Sequence, residues 1–335
     1  MTATNHSANQ GRVPAQGVPA QQMPTTAPAA PVQGAPVPAQ QGQVLQAPHG
    51  QVPAQQGQVL QAPHGHQTPA QQRAPRRRVQ AKQTFFSVFR SEWSKLASLR
   101  STWITAAIAS LITIGISVLI MAQYSGMKGY ADKAANYLTV GSSFGQIAVA
   151  VLGALLITGE YSSGQIRSSL AAVPRRGRLF AAKAVVVTIF SALLGLVTVA
   201  LTYLLSLPIL GNKAGSLSNP EYLGFFWGTA MAFAIIGLMA MSFGYILRST
   251  AGSISLVVVL LFVLLIPLGL AASKWDWVRY ITEVLPSSSA AAVADPYNLL
   301  ATPTKLDYDV VIASGYAWAI IPMIIAYFVF SKRDA

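Results

Sequence analysis

The chain has 335 residues, 53% of them hydrophobic and 10% charged, with a formal net charge of +13 and no cysteine. A soluble domain carries roughly 25% charged residues, so the composition excludes an ordinary soluble protein. The absence of cysteine excludes disulfides, thiolate catalysis and cysteine-held zinc or iron–sulfur centres, and all four histidines (His6, His49, His64, His66) precede the apolar region, leaving it no imidazole for a metal or a proton relay.

Residues 1–82 are rich in Gln, Pro and Ala and carry no aromatic side chain before residue 80. Such a segment cannot bury enough apolar surface to offset its chain entropy, which predicts a disordered tail. VPAQQGQVLQAPHG occurs at 37–50 and again at 52–65. The 15-residue offset fits no solenoid unit. It is either duplication in an unconstrained linker or a proline-containing tract read by a partner's aromatic groove. The first residues, MTATNHSANQ, lack the basic-then-apolar pattern of a signal peptide.

Residues 83–335 read as one all-α, polytopic membrane domain. After the basic run RAPRRRVQAK at 73–82 comes TFFSVFRSEWSKLASLRSTW. On a 100° helical wheel Phe85, Phe89, Trp93, Leu96 and Leu99 share one arc, while Arg90, Ser94, Lys95 and Ser98 share the other. This predicts an amphipathic helix in the membrane interface, reaching Arg100. Each basic side chain near an anionic leaflet contributes about 1 kcal/mol. Glu92 interrupts the apolar arc: either it snorkels out of lipid, or the arc packs on protein and Glu92 has a polar partner there.

Six spans follow, near 103–122, 139–158, 184–206, 223–247, 252–271 and 310–330, each with the roughly 20 apolar residues that a crossing needs. The second is diluted by Gly141, Ser142, Ser143 and Gln146. Gly141 with Gly145, and Gly224 with Gly228, are small-xxx-small pairs that allow close helix approach. Pro267 and Pro322 lie inside spans, where neighbours must satisfy the freed carbonyls. With the N-terminus inside, 17 Lys and Arg fall on inner segments and six on outer ones; acids run three inside and seven outside. That bias predicts both termini cytoplasmic and explains the basic balance without nucleic acid. None of the six predicted interiors holds Asp, Glu, Lys, Arg or His. An ion-coupled carrier usually needs one, so any uphill transport should draw energy from outside the spans. Charge-free spans suit an amphiphile, lipid-like compound, peptide or hydrophobic drug better than an ion.

The inner segment GEYSSGQIRSSLAAVPRRGRLFAAK at 159–183 is too patterned for a plain turn. Glu160 and Tyr161 stand where the second span ends, Gly164 permits a turn, and Ile166–Ala172 can form a short helix ended before Pro174. Arg175, Arg176, Arg178 and Lys183 follow. By composition alone the segment could be merely a topogenic basic loop.

Here the sequence resembles the type-2 (ABC-2) ABC exporter permeases. SEWSKLASLRSTW at 91–103 resembles their interfacial helix, EYSSGQIRSSLAAVPRRGRLFAAK at 160–183 their second signature, and LRSTAGSIS at 247–255 their link between spans four and five. Glu160, Gly164, Arg167, Pro174, Arg176 and Lys183 fit the second pattern; Gln165 stands where Thr is common. The resemblance covers about residues 85–335. It implies a permease subunit in a bacterial cell membrane, with 160–183 forming a coupling helix that docks on a separate ATP-binding subunit. Glu160, Tyr161, Gly164, Gln165, Arg167, Pro174, Arg175, Arg176 and Arg178 become the expected interface, with Glu160 held by Arg167 or a partner's base. It further implies a homodimer or heterodimer of permease chains, and short helices in 273–309 near the outer gate. The sequence contains no G-x-x-x-x-G-K-S/T loop, so no ATPase activity, catalytic residue, cofactor or metal is expected of this chain. A channel, secondary carrier or membrane scaffold without an ATPase partner is the competing reading.

The composition of the tail generates a prediction. A chain beginning near Lys82 should insert in the membrane and accumulate like the full chain, measured by membrane fractionation; loss of insertion would mean that the tail is structural.

Overall fold

A computed structural model describes residues 84–332. The expectations for the tail at 1–82, and for the basic run within it, lie outside these residues. Among the described residues there are helices and no strands, in the order α1 (Phe85–Ser98), α2 (Arg100–Ser125), a 3-10 run (Ala131–Thr139), α3 (Ser142–Ser162), α4 (Gln165–Ala172), α5 (Arg176–Leu210), α6 (Pro220–Leu247), α7 (Thr250–Val258), a π turn (Val259–Val263), α8 (Leu265–Ala272), α9 (Trp277–Val284), α10 (Pro286–Ala294) and α11 (Tyr308–Lys332). Six stretches are long and apolar enough to cross a membrane: α2, the 3-10 run with α3, α5 with the turn after it, α6, α7–α8 and α11. This is a multi-pass membrane protein, and its spans are the six that the sequence predicts.

The span limits differ where polar residues lie against protein. The second span is protein-facing, with Ser142 and Gln146 fully buried, so the residues that dilute its hydropathy meet neighbouring helices rather than lipid. The third span, α5, starts eight residues before the expected limit, because Pro174 stops α4 and α5 then runs unbroken from Arg176. Lys183 therefore lies inside a helix rather than in a loop.

α6 forms the centre, packed against α3, α5, α10 and α11; 72% of its apolar window is buried, against 11% for α7–α8. Glycine makes this possible. A Cβ at Gly153 of α3 would collide with the backbone of Gly237 on α6, and one at Gly141 or Gly145 would collide with Thr113 of α2. In lipid, helices associate through such close packing because burial from water supplies no drive between them. Gly224 and Gly228 likewise admit the 293–297 segment against α6. In the fifth span the Leu264 N–H bonds Val259 O at 2.9 Å. This i→i+5 bond lies just ahead of Pro267, whose missing N–H would have bonded Val263.

The 273–309 segment holds α9 and α10, as expected. α10 is buried between α6 and α11. Trp318 donates to Val284 O at 2.7 Å, and the Glu283 carboxylate accepts the N–H groups of Lys305 and Leu306 at 2.7 and 2.9 Å. Asp295 accepts those of Leu299 and Leu300. Val278 and Leu285 face inward, but Ile281 is exposed beside Trp277 and Tyr280: in so short a helix a three-residue step from Val278 reaches the outer edge.

The α3–α6 crossing predicts that Gly153→Ala, whose methyl meets rigid backbone, destabilises by about 1–3 kcal/mol. Gly115→Ala, with open space around it, should be neutral or stabilising by up to about 1 kcal/mol. Unfolding of both variants in mixed detergent micelles separates the two cases.

Candidate functional site

At one end of the bundle, α1, α3, α4 and α5 converge on four ionised groups. Lys183 of α5 is fully buried. Its ammonium donates to Glu92 Oε2 of α1 and, at 2.8 Å, to Glu160 Oε1 of α3. Lys95 of α1 donates to Glu92 Oε1 at 2.7 Å, to Glu160 Oε1 at 3.1 Å and to Ser169 Oγ of α4 at 3.1 Å. The Ser169 hydroxyl in turn donates to Glu160 Oε2 at 3.5 Å. Two cations offset two carboxylates, and all three N–H groups of Lys95 are engaged.

Local sequence explains each position. Leu179, Lys183, Val186 and Phe190 lie on one stripe of α5, so Lys183 occupies a core position. Glu92 stands one turn from Val88 and Leu96, and these three are the buried face of α1. Phe89 and Trp93 border that face, with Trp93 edge-on to Phe190 at 6.3 Å. Phe85 and Leu99 are exposed. The arc thus packs on protein and centres on Glu92, one wheel position away from the aromatic arc read from sequence. Lys95, expected on the solvent face, is half-buried because it turns back to Glu92 one turn earlier. α1 ends at Ser98; Leu99 is extended and Arg100 begins α2, exposed.

Burial alone would raise the Glu92 carboxyl, but the charge and hydrogen bond of Lys183, with those of Lys95, hold it below its ordinary value. Burial would lower the Lys95 ammonium, yet its bond to Glu92 and the charge of Glu160 raise it. Both groups stay charged near neutrality.

The expected interface residues separate into two sets. Glu160 is inside the cluster, held by Lys183 and Lys95 rather than by Arg167. Tyr161 is half-buried, with the Arg248 guanidinium 5.1 Å from its ring centre. Arg176 donates to the carbonyls of Phe330 and Ser331 at 3.2 and 3.3 Å, satisfying the free end of α11. Arg178 is half-buried on the first turn of α5. Gly164 makes the turn into α4 with φ +70°. It is exposed, as are Gln165, Arg167, Pro174 and Arg175, while Ile166 and Ser169 point inward. α4 therefore has one face fastened to the cluster and one face open. Lys95, Lys183 and Ser169 were not among the expected site residues. The signals for them were the Glu92–Lys95 spacing of three and the core-stripe register of Lys183. Among the described residues no group of three or more acids or histidines could hold a metal.

The model of the family described as "ABC-2 family transporter protein" matches residues 88–264, just over half of the chain, from α1 into the fifth span and including all five cluster residues. No curated protein matches.

Lys183→Met leaves two buried carboxylates to one lysine and should cost about 3–5 kcal/mol, whereas pairing it with Glu92→Leu should cost less than the sum of the single changes; a double-mutant cycle of unfolding measures this. With pH, the contribution of Glu92 is present above its ordinary 4.5 and lost as pH falls through its lowered value. That of Lys95 is present below its ordinary 10.5 and lost as pH rises through its raised value. Docking of α1, followed by hydrogen exchange at 88–98, should hold constant between pH 4.5 and 10.5 and loosen outside.

Proposed function

This chain belongs to the ABC-2 transporter family, and from that premise we propose that it is the permease subunit of an ATP-driven exporter, working with a separate ATP-binding subunit and a second permease chain, identical or related. The observation that carries the proposal is the two-faced α4. Its outer face, with Gln165 and Arg167 and the following Pro174 and Arg175, is exposed and basic. Its inner face reaches Glu160 through Ser169, and Glu160 reaches α5 and α1 through two lysines. A push received on the outer face passes through Ser169, by its 3.1 Å bond from Lys95 and its longer 3.5 Å approach to Glu160, to three helices that charge-assisted bonds join. The carboxylates and lysines do no chemistry here. Their role is mechanical: they make α1, α3, α4 and α5 move together.

The basic end is the cytoplasmic one in this proposal, with both termini inside the cell membrane, because the Lys and Arg bias favours that orientation. Both acids described at that end, Glu92 and Glu160, are buried, so its exposed charge is cationic and suits an acidic groove on the ATP-binding subunit. The weakly buried α7–α8, with α2 and α11, gives surface for the second permease chain and for lipid. A coupled carrier is the weaker reading: the buried acid and base within the spans, Glu160 and Lys183, pair with each other at one end instead of standing near the midplane.

The proposal is tested by co-expression with a candidate ATP-binding subunit. Glu160→Ala should abolish coupled transport. Arg167→Ala should weaken co-purification of the partner and stimulation of its ATPase, with Arg167→Lys intermediate because the planar fork is lost. Native transport and partner binding by all three variants would leave the segment only topogenic. Orientation is checked separately in this cysteine-free chain. A cysteine at Ser218 should react with an impermeant reagent outside and one at Ser168 should not; Ser169 is unsuitable because it is buried.

A further inference from the structure

Between α1, the first turns of α2 and the adjoining half of α3 lies a cavity of about 330 Å3. Leucines such as Leu96, Leu152 and Leu155 line it, with the exposed Ser98, Ser101 and Gln165 toward solvent and the buried Glu92 and Glu160, bridged by Lys95, at its inner side. The volume is at the lower limit of small-molecule sites, room for one hydrocarbon chain and not for a further helix. The inner end is neutral, since Lys95 and Lys183 together offset Glu92 and Glu160. Arg100, between the lining residues Leu99 and Ser101, is exposed and has no ion pair among the described residues. No exposed acid is described at this end to compete for it. The next turns of α2 carry Trp103, Ile104 and Leu111 at 57%, 61% and 74% exposure, a surface that only lipid or another chain can cover.

A largely apolar slot with a neutral floor, and an exposed cation between two of its lining residues, suits an amphiphile with a hydrocarbon tail and an anionic head. We propose that it holds an acyl chain of an anionic phospholipid from the leaflet at the basic end, with the headgroup phosphate on Arg100 and the Ser101 hydroxyl. The site adjoins α4, whose Gln165 also lines it, but the headgroup contacts are on α2 and do not depend on an ATP-binding partner. The acyl chain would lie against the Lys95–Glu160 bridge, so occupancy of the slot would bear on how firmly α1 is held to α3.

The test uses the full chain in phosphatidylcholine nanodiscs containing a minor fraction of phosphatidylglycerol, released into native mass spectrometry. Expected is one retained phosphatidylglycerol, favoured over phosphatidylcholine by about fivefold, the effect of one basic side chain at an anionic headgroup. Arg100→Gln, at an exposed position that leaves the fold intact, should remove the preference. Leu155→Trp should fill the slot and expel the lipid, while Leu111→Trp on the lipid face should not. Equal retention of the two lipids by the unmodified chain, an unchanged preference in Arg100→Gln, or unchanged retention in Leu155→Trp would each overturn the assignment.

Discussion

The basic end of this bundle depends on four charges that cannot separate. Glu92, Lys95, Glu160 and Lys183 come from three different helices, and each buried ion is tolerable only while the others are in place. Moving α1, α3 or α5 alone would strand a charge in a low-dielectric interior, which is far more expensive than moving them as a block. The cluster adds little net stability over a well-packed apolar core of the same volume. What it supplies is registration, a fixed relation between an interfacial helix, two spans and the short helix α4.

That relation sets the behaviour of what surrounds it. Ser169 brings α4 into the block. The Tyr161–Arg248 contact and the Arg176 bonds to the end of α11 tie on the remaining helix ends. At the opposite end the links are of another kind: carboxylates of Glu283 and Asp295 accept backbone N–H groups, and the buried Asp295 carboxyl is raised by desolvation, against the bonds from Leu300 and Leu299. One end is organised by buried ion pairs between helices, the other by caps, hydrogen bonds between segments such as Asn136 to Leu299 O, and exposed ion pairs such as Lys213–Asp132.

The spans, the interfacial helix, the turn at Gly164 and the helix after it were legible in the sequence because each rests on a local rule: apolar run length, helical periodicity, a positive φ that glycine takes readily, and proline stopping a helix. The site was only half legible. Glu160 and the inward alternative for Glu92 could be read, since an acid in an apolar arc demands a partner. The identity of that partner could not, because Glu92 and Lys183 are 91 residues apart and meet only through the packing of α1 on α5. Lys183 was hidden further by taking the third span to begin after it. Arg167 attracted the role because it is close to Glu160 in sequence; in the fold it stands on the opposite face of α4.

α5 runs without a break through 35 residues, or about 52 Å at 1.5 Å per residue, well beyond a hydrocarbon core of about 30 Å. Its closest approach to α6 is near its middle, where Gly195 lies against Thr229 and Ala230, which makes that contact a natural pivot for a tilting rod. A tilt of about 5° about that point moves each tip by roughly 2 Å in opposite directions. In such a tilt a sideways displacement of Lys183 and its ionic partners would reappear, reversed in sign, beside the 3-10 run on the far side.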